Sequence, residues 1–69
     1  MDVQAVPKRR AQPMRDELRT VGRTAWQFWF LIDGKLSIED IAYLLSVVDD
    51  KEVEQAVQTL QERRWIGFD

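Results

Sequence analysis

Residues 33–66 decide the fold of this chain, and they read DGKLSIEDIAYLLSVVDDKEVEQAVQTLQERRWI. Apolar residues recur there at intervals of three and four, with charged residues between them, which is typical of amphipathic helices. Ser37 and Asp49 each precede one of the two periodic runs, and their side-chain oxygens can cap a helix N-terminus. The stretch therefore predicts one helix that opens at Ser37, a short turn at residues 48–50, and a second helix over about Lys51–Arg63.

The spacing also predicts which side chains face the core. In the first of these helices they are Ile38, Ile41, Ala42, Leu44, Leu45 and Val48, and in the second they are Val53, Ala56, Val57 and Leu60. Asp49 with Glu52 three residues later is typical of a capping box. The closing residues 65–68, WIGF, favour a short strand, which we expect to pair with the stretch around Lys35 and Leu36.

Upstream, an apolar stripe runs from Met14 to Ile32 and predicts a helix that begins near Pro13. Gly22 is its weak point, so a break there with Thr24 capping a second helix is the alternative. Gly34 can take the left-handed conformation that closes many helices. Residues 1–12 have no apolar periodicity and predict a flexible basic arm, which leaves 13–69 as the folded domain.

Composition limits the chemistry of this single small domain. The 69 residues contain no cysteine and no histidine, which removes disulfides, thiolate chemistry and the usual zinc ligands. The acidic pairs Glu39/Asp40 and Asp49/Asp50 fall at predicted helix starts, where capping accounts for them. We therefore expect no enzymatic activity, no cofactor, no metal and no small-molecule substrate. No apolar run reaches the length of a membrane span or a secretory signal, so we expect a cytoplasmic protein.

The order helix, helix, tight turn, helix, short strand resembles the winged helix-turn-helix superfamily. The likeness covers about residues 24–68, and its central text is SIEDIAYLL followed by VEQAVQTL and WI. The resemblance implies a mainly α, three-helix bundle with a short C-terminal strand. Because the chain stops at Asp69, where a wing would turn back, we expect a truncated wing. In DNA-binding members, the helix matching Lys51–Arg63 enters the major groove.

A second stretch, residues 23–41, RTAWQFWFLIDGKLSIEDI, is similar to the peptide-chaperone family of pyrroloquinoline quinone synthesis, whose members bind leader peptides. Domains of that family place three strands ahead of the helices. Residues 1–20 of this chain show arginines, prolines and helical spacing instead of strand alternation. A leader-peptide-binding domain is therefore our third hypothesis.

Charge is unevenly distributed, and this asymmetry indicates where a nucleic acid would bind. Residues 1–24 carry a net charge of +3, whereas residues 25–69 carry −5. On a continuous first helix, Arg15, Arg19 and Arg23 would form one basic stripe. The predicted nucleic-acid contacts are Lys8, Arg9, Arg10, Arg15, Arg19, Arg23, Lys51, Gln55 and Gln58. The alternative is a solvated face on which Asp16 and Glu17 pair with neighbouring arginines.

Aromatic residues predict a second kind of surface. Trp26 and Phe30 lie four residues apart, on a flank that a three-helix core does not obviously cover. With Trp65 and Phe68 they form the predicted protein interface, for which a homodimer is the natural occupant. The alternative is that a small domain uses these large residues to fill its core.

The sequence thus predicts a non-catalytic, winged-helix-like regulatory module that acts in transcription control and binds nucleic acid through its basic arm and first helix. The alternative is a protein-interaction adaptor or dimerisation module that uses the aromatic flank or the acidic last helix. Four carboxylates at the start of that helix, at positions 49, 50, 52 and 54, would repel a DNA duplex and so favour the alternative.

Overall fold

Four short helices and a two-stranded sheet make up the regular structure of residues 2–68, the part of the chain that the computed structural model describes. In chain order the elements are β1 (Pro7–Arg9), α1 (Arg15–Arg19), α2 (Arg23–Leu31), α3 (Ile38–Leu44), α4 (Asp50–Glu62) and β2 (Ile66–Phe68). None of the helices within residues 2–68 has the length and apolar content needed to span a bilayer. The mainly helical class and the C-terminal strand are as predicted, whereas the predicted bundle of three helices is replaced by four helices within the described residues.

The core forms where the apolar stripes of the helices meet, with α2 packed most extensively on α4. The buried apolar side chains are Leu18, Ala25, Phe28, Trp29, Ile32, Ile38, Ile41, Ala42, Val53, Ala56, Val57, Leu60, Trp65 and Ile66. All four predicted core positions of α4 are among them. In α3 the prediction fails at Leu44, and it fails again at Val48 in the following turn, because both side chains are exposed.

Gly22 separates α1 from α2, so the alternative with a break is correct and the continuous first helix is not. Its φ of 91° lies in a region that side-chain-bearing residues rarely adopt. Gly22 itself occupies the N-cap position of α2, and Thr24 lies inside the helix. Instead of capping, the Thr24 hydroxyl donates a hydrogen bond to Glu52 Oε1 at 2.7 Å, which ties the start of α2 to α4.

The two predicted caps are present, although one differs in detail. Ser37 Oγ accepts the Asp40 N–H at 3.1 Å, and the Asp40 carboxylate accepts the Ser37 N–H at 3.2 Å, which completes a capping box on α3. At the start of α4, Asp49 Oδ1 accepts the Lys51 N–H at 2.9 Å. The expected return contact from Glu52 is absent because Glu52 is bonded to Thr24.

The sheet corrects two predictions. β2 pairs antiparallel with β1, with Lys8 opposite Gly67, and not with the stretch around Lys35 and Leu36. Residues 7–9 therefore belong to the folded body, whereas the sequence predicted a flexible arm over residues 1–12. Their strand was missed because Pro7, a lysine and two arginines show no apolar alternation; Pro7 is nevertheless buried.

Backbone hydrogen bonds also fix the residues that precede β1. The Val3 carbonyl accepts the Glu39 N–H at 2.8 Å, and the Ala5 carbonyl accepts the Ile38 N–H at 3.1 Å. These two donors belong to the first turn of α3, whose N–H groups have no acceptor within the helix itself. The N-terminal segment is thus part of the cap of α3, which again departs from the predicted arm.

The chain leaves α3 and α4 through two turns of the same type. After α3, the Val47 N–H bonds to the Ala42 carbonyl and the Ser46 N–H to the Tyr43 carbonyl, the pairing of a Schellman motif. Two equivalent bonds follow α4, where Arg64 takes the position of Ser46. Ser46 and Arg64 have φ values of 58° and 60°, a conformation usually left to glycine.

Candidate binding surfaces

One pocket combines the two arginines of α1 with two aromatic side chains of α2. Arg15, Leu18, Arg19, Trp26 and Phe30 line this depression of about 260 Å³, which we call the arginine–aromatic pocket. The Trp26 and Phe30 rings meet edge to face, with centroids 5.5 Å apart. Trp26 is partly buried against the core, whereas Phe30 is 53% exposed. The pocket therefore offers solvent an aromatic surface next to two cations.

Neither arginine of this pocket is committed to a partner within residues 2–68, since neither side chain makes a hydrogen bond or an ion pair there. The alternative prediction was local pairing with Asp16 and Glu17. The Glu17 carboxylate instead accepts the Met14 N–H at 3.3 Å and so helps to begin α1. Two guanidinium groups beside an exposed ring thus remain available to an external anion.

Arg23 does not extend the pair into a stripe, because the bend at Gly22 carries it elsewhere. Arg23 lines a separate groove between the start of α2 and α4, together with Glu52, Gln55 and Thr59. The predicted i, i+4, i+8 stripe of Arg15, Arg19 and Arg23 is therefore wrong. It required one continuous helix, and the positive φ of Gly22 interrupts that helix.

The three basic residues of the N-terminal segment have different environments. Arg9 has a structural role: its guanidinium lies 4.2 Å from the Trp29 ring centroid and donates to the Phe30 carbonyl at 2.9 Å. This contact ties β1 to the end of α2, where helix carbonyls lack partners. Lys8 alternates to the other face of β1, and the side chain of Arg10, the residue after the strand, lies over Gly67.

The polar residues predicted on the last helix lie on the exposed face of α4. Lys51, Gln55 and Gln58 all point to solvent, and Gln58 Nε2 donates to Glu62 Oε1 at 3.3 Å. They are accompanied by the exposed carboxylates of Asp50, Glu52 and Glu54. The predicted nucleic-acid residues are thus spread over three surfaces, and the α4 surface carries the wrong charge for phosphate.

The predicted protein interface is also divided. Trp65 is only 6% exposed and belongs to the core, so it is not available to a partner. Arg63 covers its ring, with the guanidinium 5.6 Å from the ring centroid. Phe68 is half-buried against the core. Of the four aromatic residues, Trp26 and Phe30 alone form one partly open cluster.

A second surface was missed by the sequence analysis. Tyr43 is 82% exposed and Val48 93% exposed, and both line a groove formed by α3, the turn after it and the start of α4. The run IAYLL at 41–45 held the signal, because a helix with five consecutive apolar residues cannot turn all of them inward. We call this second surface the acidic groove, since Glu39 and Asp50 are among its lining residues.

The acidic pairs at the helix starts do not assemble into a cation site. Asp40 and Asp49 accept backbone N–H groups, and residues 2–68 contain no cluster of three or more carboxylates or other ligands suited to a metal ion.

Comparison of the chain with protein-family models, with curated proteins and with solved structures finds no match. The resemblances noted from the sequence therefore stay predictions, and functional inference depends on the two surfaces.

Proposed function

We propose that this protein is a non-catalytic module that binds single-stranded nucleic acid in the arginine–aromatic pocket. The observation that carries the proposal is the placement of Arg15 and Arg19, neither committed to a partner within residues 2–68, beside the exposed ring of Phe30. Proteins that bind single strands combine cations that follow the phosphates with aromatic rings on which bases stack. The pocket contains both groups within one depression.

A single strand suits this surface better than a duplex does. Stacking on Phe30 requires a base whose face is free, and duplex bases are already stacked on their neighbours. The helix that would enter a major groove in a winged helix, α4, begins with Asp50, Glu52 and Glu54, which would repel the two flanking phosphate backbones. The proposed ligand is therefore still a nucleic acid, as the sequence predicts, but its binding surface lies on α1 and α2 and not on α4.

The proposed biological role is in control of transcription, as the resemblance to the winged helix-turn-helix superfamily implies. The succession of α2, α3, α4 and β2 supports that resemblance, with α3 and α4 in the places of the helix-turn-helix pair. β1, which comes from the opposite end of the chain, would take the place of the second wing strand. In this proposal the acidic α4 does not contact DNA.

Fluorescence anisotropy with a labelled 15-nucleotide oligothymidine tests the proposal. In low salt we expect the Arg15→Ala/Arg19→Ala variant to bind about tenfold more weakly, and its log–log salt slope to be lower by about 1.4, since each phosphate contact to a single strand contributes about 0.7. Phe30→Ala should weaken binding by about 1–3 kcal/mol, the usual contribution of one stacked base.

The control variant is Lys35→Ala/Lys51→Ala, which removes the same charge from outside the pocket. It should leave the affinity within about twofold of the parent protein. Equal weakening in both double variants would show a non-specific charge effect and contradict the proposal. So would the absence of binding by the parent protein at low salt, or tighter binding to the matching duplex.

The exposed ring of Phe30 also supports a second candidate, a homodimer joined through the same aromatic flank. Sedimentation velocity distinguishes the two. A dimer that dissociates in Phe30→Ala would support this candidate, whereas a mass equal to the 8.2 kDa monomer would exclude it.

A further inference from the structure

The acidic groove is a built apolar surface with an open mouth. It measures about 450 Å³, and its apolar lining residues are Val3, Ala42, Tyr43, Val47, Val48 and Val53. Three separate parts of the chain meet here: the N-terminal segment, α3 with its following turn, and the first turns of α4. The groove therefore exists because of the tertiary fold and not because of one helix face.

The walls of the groove are held in place before any ligand arrives. Val3 is fixed because its carbonyl accepts the Glu39 N–H at 2.8 Å. The turn on the other side is fixed by the Val47 N–H, which bonds to the Ala42 carbonyl at 2.9 Å. Val53 at the base belongs to the core. A preformed site loses less conformational entropy on binding than a surface that must first order itself.

Exposure and charge together indicate what the groove accepts. Two large apolar side chains, Tyr43 and Val48, remain almost fully exposed at its edge, whereas scattered single apolar residues would need no explanation. Residues 36–62, which comprise α3, the turn after it and α4, contain one lysine and seven carboxylates. Two of these carboxylates, on Glu39 and Asp50, line the groove, and among residues 2–68 no lysine or arginine does.

We propose that the acidic groove binds a cationic amphipathic segment of a partner protein. Apolar side chains of the segment would pack on Tyr43, Val47 and Val48, and its lysines or arginines would face Glu39 and Asp50. Charge complementarity favours this occupant over nucleic acid, which the carboxylates would repel, and over an acidic or neutral peptide. The groove and the arginine–aromatic pocket share no lining residue, so this site does not depend on the proposed function.

Titration of the ¹⁵N-labelled protein with two synthetic peptides tests the site. The first probe is a 14-residue peptide of leucine and lysine with its leucines on one helical face, and the second has glutamate in place of each lysine. We expect the lysine peptide to shift the amide resonances of Ala42, Tyr43, Val47, Val48 and Val53. The glutamate peptide should leave them in place. Shifts that lie mainly at Phe30 and Trp26 would overturn the assignment.

Matched serine variants locate the apolar contact. Val48→Ser and Tyr43→Ser should each weaken binding of the lysine peptide about tenfold, because each removes one apolar side chain that the peptide would bury. Leu44→Ser is the control, because Leu44 is also an exposed residue of α3 but does not line the groove. Equal loss in Leu44→Ser would show that any exposed apolar residue is sufficient, and the groove would not be the site.

The charge contribution is measured with Glu39→Gln/Asp50→Asn, for which we expect about fivefold weaker binding at low salt and little difference at 1 M salt. Circular dichroism confirms that each variant is folded. Sedimentation of the protein alone provides the remaining comparison. Self-association that Val48→Ser abolishes would assign the groove to a second copy of this chain and overturn the proposal.

Discussion

The arginine–aromatic pocket and the acidic groove are two surfaces with opposite charge on one core. In α2, Phe28 and Trp29 are buried while Phe30 emerges into the pocket. In α3, Ile41 and Ala42 are buried while Tyr43 emerges at the groove. Adjacent residues of the same helix thus serve the core and a surface. In a chain this short the same few elements must provide both, because few others are present.

The difference between the two surfaces shows how charge and fold are decided separately. Both use exposed apolar side chains, and both depend on α2, against which each of the other helices packs. The ionic groups around them come from different parts of the sequence, arginines from the first 24 residues and carboxylates from residues 36–62. If these charges were exchanged, the core would stay the same, whereas the class of ligand that each surface binds would change.

The largest expected effect comes from a substitution in the core that supports both surfaces. Phe28 is 1% exposed at the centre of the core, and Phe28→Ala should lower the free energy of unfolding by about 3–5 kcal/mol. A domain of this size has about 4–10 kcal/mol in total, so both binding activities should fall together. Urea denaturation followed by tryptophan fluorescence measures the change.

Phe30→Ala is the matched control, since it makes the same substitution two positions along the helix at an exposed ring. It should cost about 1 kcal/mol or less. Equal destabilisation by the two substitutions would mean that the difference in burial between Phe28 and Phe30 does not decide their contribution to stability. Phe28→Leu, expected to lose about 1–2 kcal/mol, keeps the comparison measurable if Phe28→Ala does not fold.

The packing of the helices was predictable because periodicity carries it. Val53, Ala56, Val57 and Leu60 repeat at helical spacing, and all four are buried. The caps at Ser37 and Asp49 were predictable because each side chain bonds to a backbone group two or three residues away. Local information suffices for features of this kind.

The surfaces were harder to predict because they depend on contacts between distant residues. The strand at Pro7–Arg9 exists because residues 66–68 pair with it, and the sequence of residues 7–9 alone does not predict a strand. The separation of Arg23 from Arg15 and Arg19 follows from the conformation of one glycine. The pairing of Trp26 with Phe30 was predicted because it is an i, i+4 contact, whereas the acidic groove joins three separate segments.

A smaller effect on stability is expected at the ends of α3 and α4, which each close with a turn of the same type. Arg64 follows α4 and Ser46 follows α3, and both adopt positive φ, a conformation that is strained for side-chain-bearing residues. Replacement of either by glycine should raise the free energy of unfolding by about 0.5–1 kcal/mol, because glycine relieves this strain at some cost in unfolded-state entropy. Thermal denaturation measures it.

Arg63→Gly is the control for Arg64→Gly. Arg63 has a φ of −78° in the ordinary helical region and its side chain covers the Trp65 ring, so glycine there should be destabilising although it removes the same charge. The two neighbouring substitutions should thus have opposite signs. A loss of stability in both would show that the Arg64 side chain matters more than its backbone conformation.

The smallest expected effect lies in the turn that connects α2, which carries the aromatic rings of the pocket, to α3, which carries one wall of the groove. Asp33 Oδ1 accepts the N–H groups of Leu36 and Lys35 at 2.9 and 2.8 Å. These bonds favour the charged carboxylate and lower the pKa of Asp33 below its ordinary value of 3.8. A carboxyl group whose pKa is lower in the folded state stabilises the fold above its unfolded pKa, and the contribution is lost as the pH falls through the folded pKa.

Asp33→Asn keeps an oxygen acceptor in this turn but cannot titrate. The parent protein should therefore be more stable than the variant near pH 6, and the difference should shrink as the pH falls below about 3.8. Because the carboxylate is exposed to solvent, the difference should be smaller than those expected for the core and for the helix ends. Urea denaturation of both proteins at several pH values measures it, and a difference that stays constant down to about pH 2.5 would show that the charge of Asp33 does not stabilise the connection between the two surfaces.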